Sequence, residues 1–323
     1  MVAKTQYKTR FLQADKFLGI EIGGTKLQIV LGYADGTLLS THRFPVKKED
    51  GANGICNTIE SILPEYKSEN LAAVGVGFGG PVNRQTGCVE TSFQVEGWSG
   101  FAFSEWIESK LGVPVFVDND ANVAALGEAV HGAGKEYNLV LYITMGSGVG
   151  GGLVMDQQIY HGAIPGEIEI GHLRLDRNGT TLESVCAGWA VDRKMRMAVE
   201  TNPQGKLAQL VNGKKHSEAI FLKEALQAKD PTALQIFEDT TDDFAFGLSH
   251  AIHLLHPDVV VLGGGLSLMG EMLRERIQTK LPHYLMKAFS PGPVVKLAAL
   301  KENAVPVGCL VLCSQQIQKL NKS

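Results

Sequence analysis

Two apolar runs open the chain, Phe17 to Ile22 and Lys26 to Tyr33, with Gly23-Gly24-Thr25 between them. After Ala34-Asp35-Gly36-Thr37 a third run extends from Leu38 to Phe44. Short apolar runs bounded by turn residues predict three strands in a meander. Gly54 to Leu63 carries a helical pattern, and Ala72 to Phe78 is a short apolar strand closed by Gly79-Gly80-Pro81. Phe103 to Leu111 reads as an amphipathic helix and Val113 to Val117 as another strand. The outline then repeats: a strand from Leu139 to Thr144, a glycine-rich turn from Gly146 to Gly152, and a returning strand from Leu153 to Asp156. Helical patterns over Gly188 to Glu200, much of Lys214 to Leu255, about Gly270 to Lys280 and Pro306 to Leu320 follow. Among them lies one more buried strand, Val259 to Leu262, ending in Gly263-Gly264-Gly265. Two halves that each begin with strand, glycine turn and strand are a weak internal repetition, not a solenoid period. Strands and helices mixed in this order predict an α/β architecture in two lobes.

A chain of 323 residues is long enough for two compact domains or one large one. Its formal net charge of -4 argues against a generic electrostatic grip on nucleic acid, which needs basic patches. No run of about eighteen or more apolar residues occurs, so no membrane-spanning helix is predicted. The opening stretch MVAKTQYKTRFLQADK lacks the apolar core of a signal peptide and reads as a short surface or disordered extension. The five cysteines are odd in number and form no CxxC pair, which argues against a disulfide framework and for the cytoplasm. Cys309 and Cys313, one helical turn apart in an apolar segment, read as small buried hydrophobes.

The candidate chemistry concentrates at VFVDNDANVAALGE, Val115 to Glu128, where the apolar run stops at Asp118-Asn119-Asp120 and an alanine-rich helical segment follows. One of the three polar residues suffices to cap a helix. The others remain for chemistry: a carboxylate at a helix N-terminus stays ionised and can accept a proton from an attacking hydroxyl. Gly23-Gly24-Thr25-Lys26 is read either as an ordinary hairpin turn or as an anion cradle, since glycine lets an anion approach the backbone. It does not match the P-loop pattern. The five glycines of TMGSGVGGG are more than a hairpin needs and point to a phosphate loop. Gly263-Gly264-Gly265, after a strand and before a helix, suits close approach of a ligand. Glu167, Glu169 and His172 lie in GAIPGEIEIGHLRLD, and Glu183 lies near a predicted helix start. His250, His253 and His256 recur every third residue and read as core or interface histidines, because metal pairs on helices more often sit four apart.

Taken in order, GIEIGGTK, VGFGGPVN, VDNDANVAALGE, TMGSGVGGGLV, EIGH and VVVLGGG resemble the ROK family of sugar kinases and repressors, within the actin/hexokinase/Hsp70 superfamily. The match runs from about Phe17 to the closing helix. The resemblance implies a two-lobed ribonuclease H-like (actin-like ATPase) fold with a central cleft. Residues 1–121 plus 305–323 would form the smaller lobe and 122–304 the larger. It implies an ATP-dependent kinase, working with Mg²⁺ on a hexose hydroxyl, with Asp120 as the general base. The sugar residues would be Asn119, Asp120, Glu169, His172 and Glu183, with Gly80. The ATP phosphates would lie between Gly23, Gly24, Thr25 and Lys26 and Gly146, Ser147 and Gly148, and Gly263, Gly264 and Gly265 would border the adenosine. Homodimers are expected by the same analogy.

The sequence departs from the family in several places. Many members carry a zinc site of one histidine and three cysteines after EIGH. The segment DRNGTTLESVCAG has only Cys186, outside the usual ligand positions, so no structural zinc is expected. Glu21 stands where many members have an aspartate near the Mg²⁺, and Gln94 where they have an asparagine ahead of Gly97-Trp98. The usual glutamate before IGH matches Glu169 by spacing, with Glu167 as the alternative. The family's repressors carry a DNA-binding helix-turn-helix before the sugar domain; the residues ahead of the first strand are too few for one. A sugar sensor without turnover, and polyphosphate as phosphoryl donor, stand beside the ATP-dependent glucose kinase as readings.

Overall fold

The computed structural model describes residues 15–322 except 93, 165, 167, 215 and 216. The expected N-terminal extension and Glu167 therefore lie outside, or largely outside, the described residues. The chain divides into two compact units. The first runs to Val123 and takes up the chain again from Val305, and the second is Ala124–Ala304.

In the first unit β1 (Lys16–Ile22), β2 (Lys26–Gly32) and β3 (Leu38–Pro45) form an antiparallel meander. After α1 (Gly51–Ile62), strand β4 (Leu71–Phe78) pairs parallel with β1. A small sheet of β5 (Val82–Asn83), β6 (Cys88–Val89) and β7 (Phe101–Ala102) follows, then α2 (Phe103–Leu111). Strand β8 (Val115–Asn119) completes the sheet parallel to β4, and α3 (Asp120–Val130) starts at once. The order is β3-β2-β1-β4-β8. The inner strands are buried on both faces, which is why they read as continuous apolar runs, whereas β3 at the edge alternates.

The second unit repeats the plan. β9 (Leu139–Met145), β10 (Val149–Met155) and β11 (Gln158–Ile159) are antiparallel neighbours. Helices α4 (Leu182–Cys186), α5 (Gly188–Thr201), α6 (Lys206–Val211), α7 (Leu222–Gln227) and α8 (Pro231–Leu255) precede β12 (Val259–Gly263). Then come α9 (Glu271–Lys280) and β13 (Val294–Leu297). The order β11-β10-β9-β12-β13 has the same sense, an antiparallel meander followed by two parallel strands. The faint repetition in the sequence is thus a repeated sheet. Helix α8 starts on Asp230, whose carboxylate accepts from the amides of Thr232 and Ala233, with Pro231 at the first helical position. It ends where His256 turns left-handed.

Helix α10 (Ala304–Leu320) returns the chain to the first unit. It lies close on the sheet because the strands beneath carry glycines: a methyl group at Gly19 would sit 3.1 Å from the Pro306 carbonyl oxygen. Cys309 and Cys313 are buried there, as their spacing implied. Among the described residues no helix is long and apolar enough to cross a membrane.

Two boundaries differ from the sequence reading. The strand expected at Val113 to Val117 is Val115–Asn119, so Asp118 and Asn119 are strand residues. The turn expected over Gly146 to Gly152 is shorter, because Gly150, Gly151 and Gly152 belong to β10. Gly151 is bridged to Ile168, and a methyl there would come 2.9 Å from the Ile168 carbonyl oxygen. Three of the five glycines therefore belong to the strand, and Gly151 among them serves its close packing. Of the three histidines, His250 is half-buried against Phe246, and His253 and His256 are exposed at the end of α8. His256 stacks on Phe289 with ring centroids 4.1 Å apart, and His253 Nε2 accepts from the Met286 amide.

Candidate active site

At the end of β8 the three polar residues divide their work. Asn119 is the cap: its Oδ1 accepts from the amides of Ala121 (2.8 Å) and Asn122 (3.3 Å). Its Nδ2 donates to the Gly80 carbonyl at 3.4 Å, tying β8 to the GGP turn. Asp118 is 3 % exposed, and its Oδ1 accepts from the Asn119 amide and from Asn122 Nδ2 at 3.0 Å. Asp120 is the first residue of α3. A methyl group at Gly79 would sit 3.2 Å from Asp120 Oδ2, 3.3 Å from the Ile22 carbonyl oxygen and 3.6 Å from Gly23 Cα. At this glycine the carboxylate and the first glycine turn come close together, and the helix N-terminus favours the charged form.

The first turn is closed by the Gly23 amide donating to the Lys26 carbonyl at 2.9 Å. Lys26 Nζ lies 3.0 Å from Glu21 Oε2, so the lysine charge is partly matched within the turn. The Gln94 carboxamide lies over Gly24, where a methyl group would overlap its Oε1. Gly23, Gly24, Thr25, Lys26, Glu21, Gly80, Gln94, Asn119 and Asp120 all belong to the first unit.

The remaining candidates belong to the second unit. Gly146 donates to the Gly148 carbonyl at 2.9 Å, forming a tight turn with Ser147 exposed at its tip. The Gly188 amide at the start of α5 donates to the Gly146 carbonyl at 2.8 Å. Gly264, at φ +79°, abuts the strand end leading into that turn: a methyl there would come 2.5 Å from Met145 C and 2.7 Å from its N. Gly265 has no atom within 4 Å of such a methyl, so its outer side is open. Glu183 faces the same turn; its Oε2 accepts from the Val149 amide at 2.9 Å. Glu169 and His172 flank a single 3-10 turn, Ile170–His172, with carboxylate and imidazole 3.9 Å apart and 55 % and 72 % exposed. A methyl group at Gly171 between them would overlap the Val149 carbonyl oxygen and lie 3.4 Å from Glu183 Cβ. Glu183 thereby lies against both the Gly146–Gly148 turn and the backbone of the segment that carries Glu169 and His172.

The loop before α4 is organised by Asp176, which accepts from the amides of Asn178 and Thr180 and from the Thr180 hydroxyl at 2.7 Å. The Thr180 hydroxyl, with these amides, holds its carboxyl below the usual carboxylate range. Cys186 is buried and donates to the Thr240 carbonyl, and burial pushes its thiol far above the ordinary range. A neutral, buried thiol is a poor zinc ligand. The sequence reading missed the Gln94 contact on Gly24 and the Asp118–Asn122 bond; the latter has a sequence signal, a carboxylate and an amide four residues apart.

A model of the ROK family matches residues 17–316. A glucokinase of Thermotoga maritima is 28 % identical over 311 residues, covering 94 % of this chain and 98 % of that protein. A putative xylose repressor of Caldicellulosiruptor sp. is 24 % identical, covering 91 % of this chain and 77 % of that protein. The crystal structure of a ROK family glucokinase from Streptomyces griseus, in complex with glucose and AMPPNP, superposes with a TM-score of 0.80 at 27 % identity, covering 93 % of this chain and 99 % of that one. The fold is the α/β fold of the actin-like ATPases. Within it, the chain belongs to the ROK family.

Proposed function

We propose that the protein is an ATP-dependent sugar kinase that phosphorylates a hexose hydroxyl, with glucose the favoured substrate and glucose 6-phosphate the product. The observation that carries this reading is the placement of Asp120, at the first position of α3 and beside the first glycine turn. The sugar hydroxyl oxygen attacks the γ-phosphorus, its proton passes to the Asp120 carboxylate, and the bond from phosphorus to the ADP oxygen breaks. Asn119, Gly80, Glu169, His172 and Glu183 hold the other hydroxyls, each carboxylate accepting from a ring hydroxyl. Gly23, Gly24, Thr25, Lys26, Gly146, Ser147 and Gly148 take the phosphates, and Gly263, Gly264 and Gly265 the adenosine. Mg²⁺ bound with the nucleotide would neutralise charge on the phosphates. Glu21, the carboxylate beside the first turn that pairs with Lys26, would be the side chain to serve its surroundings.

The test is ADP release from the purified protein with Mg-ATP and a panel of glucose, mannose, fructose, allose and N-acetylated hexosamines. Turnover on glucose above the others is the expected result. Silence on every sugar and with polyphosphate as donor, with sugar binding still detected by calorimetry, would replace the kinase by a sensor, the reading that the repressor relative favours. Polyphosphate turnover alone would change the donor.

A metal test follows from the Asp176 loop and the buried Cys186. Zinc below about a tenth of an equivalent per chain is expected on elemental analysis, because a structural site needs about four ligands. A chelator should stop turnover by removing Mg²⁺ yet leave the thermal midpoint unchanged. Near-stoichiometric zinc, or a chelator-induced fall in the midpoint, would overturn the zinc-free assignment.

A further inference from the structure

Glu128 closes the stretch that holds Asp120 but touches none of the groups assigned to substrate. Its side chain is fully buried. Oε2 accepts from the amides of Ala133 at 2.8 Å and Ala299 at 3.0 Å, and Oε1 from the amide of Leu300 at 2.8 Å. The Glu128 carbonyl accepts from Gly132 and Gly134, and a methyl group at Gly132 would overlap the carboxylate. Backbone amides on both oxygens form charge-assisted bonds, which are stronger than neutral ones.

The partners carry the meaning. The chain leaves the first unit within α3 and re-enters it as α10 begins. Residues 132–134 follow the outgoing helix, and Ala299-Leu300 come just before the returning one. One carboxylate therefore joins both passages at their second-unit ends. In the first unit the two helices meet again, where a methyl at Gly308 of α10 would overlap the Val123 carbonyl of α3. Asp120 lies at the start of α3, roughly two turns from Glu128.

We propose that Glu128 is a positioning residue for phosphoryl transfer: it binds the outgoing and returning passages into one rigid connector and so aims Asp120. The proposal rests on Asp120 being the base. A base misplaced by about an ångström can lose on the order of a hundredfold in rate. Both Glu128 oxygens receive N–H groups, so Glu128→Gln keeps the size but turns an N–H₂ group against a donor whichever way the amide faces.

The test is a double-mutant cycle of Glu128→Gln and Asp120→Asn, read as kcat and KM for sugar and nucleotide. Glu128→Gln alone is expected to lower kcat about tenfold or more, with both KM values within about threefold of the parent. In the Asp120→Asn background it should cost less than about threefold more, because the group it aims no longer works. A purely structural carboxylate would give the same fold-loss in both backgrounds, and that additivity would overturn the proposal. If Asp120→Asn alone left turnover within a few-fold, the base assignment would fall first and Glu128's role with it. Should Glu128→Gln not fold, Glu128→Asp keeps the charge and enters the same cycle. On the unaltered protein, the amides of Ala133, Ala299 and Leu300 should exchange with solvent at one common rate, slowed together by sugar. Three independent rates would also rule out the connector.

Discussion

Asp120→Asn is expected to lower kcat by roughly a hundredfold or more, the range for removing a general base. The asparagine keeps size and hydrogen bonding but cannot take the proton of the attacking hydroxyl. Folding should be little affected, because Asn119 caps α3. The lost charge at the helix N-terminus is worth about 0.3–1 kcal/mol. Sugar affinity measured by calorimetry should stay within a few-fold, since the amide still reaches the hydroxyl. The checks are ADP release at saturating sugar and nucleotide, the calorimetric titration, and a thermal melt. Turnover within a few-fold of the parent, with the melt unchanged, would remove Asp120 from the role of base. A matched loss of turnover and of folded protein would make it a structural residue.

The second large effect is expected at Gly264→Ala. Gly264 has φ +79°, a conformation that costs an L-residue about 1–2 kcal/mol. The added methyl would also stand 2.5–2.7 Å from Met145 C, N and O, which are backbone atoms and cannot turn away. Overpacking of this kind costs about 1–3 kcal/mol more. Relief requires the Gly263–Gly265 turn to lift off the strand end that leads into Gly146. If that turn borders the adenosine, KM for ATP should rise about tenfold or more while KM for the sugar changes little. Gly162→Ala, outside the assigned sites, is the control: a methyl there meets nothing within 4 Å. An unchanged KM for ATP in a folded Gly264→Ala protein would take the nucleotide away from this turn. Equal rises in both KM values would mean that the damage is general.

The elements that sequence reading found are those whose signal is local. Strands buried on both faces, such as Val259–Gly263, stand out as unbroken apolar runs, and α8 lies within the helical pattern of Lys214 to Leu255. The misread boundaries share a different cause. Asp118 and Asn119 looked like the end of a strand because polar residues rarely belong in a buried one. They belong here because Asn122 and the first amides of α3 satisfy them. The glycines of β10 looked like an extended loop because their reason, the bridge to Ile168, lies elsewhere in the chain.

The sequence by itself determined the α/β class, the family motifs, the glycine turns and the polar corner at Asp118-Asn119-Asp120. All of these rest on neighbouring residues, and the backbone geometry of a few positions decides them. Only the tertiary structure decided how the corner shares its labour, with Asn119 capping, Asp118 holding Asn122 and Asp120 set beside Gly79 and the first glycine turn. It alone brought Gln94 over Gly24 and Gly264 onto Met145, and joined Glu128 to Ala299 and Leu300. Those pairings depend on which segments pack together, and packing is a property of the whole chain that no local pattern of residues encodes.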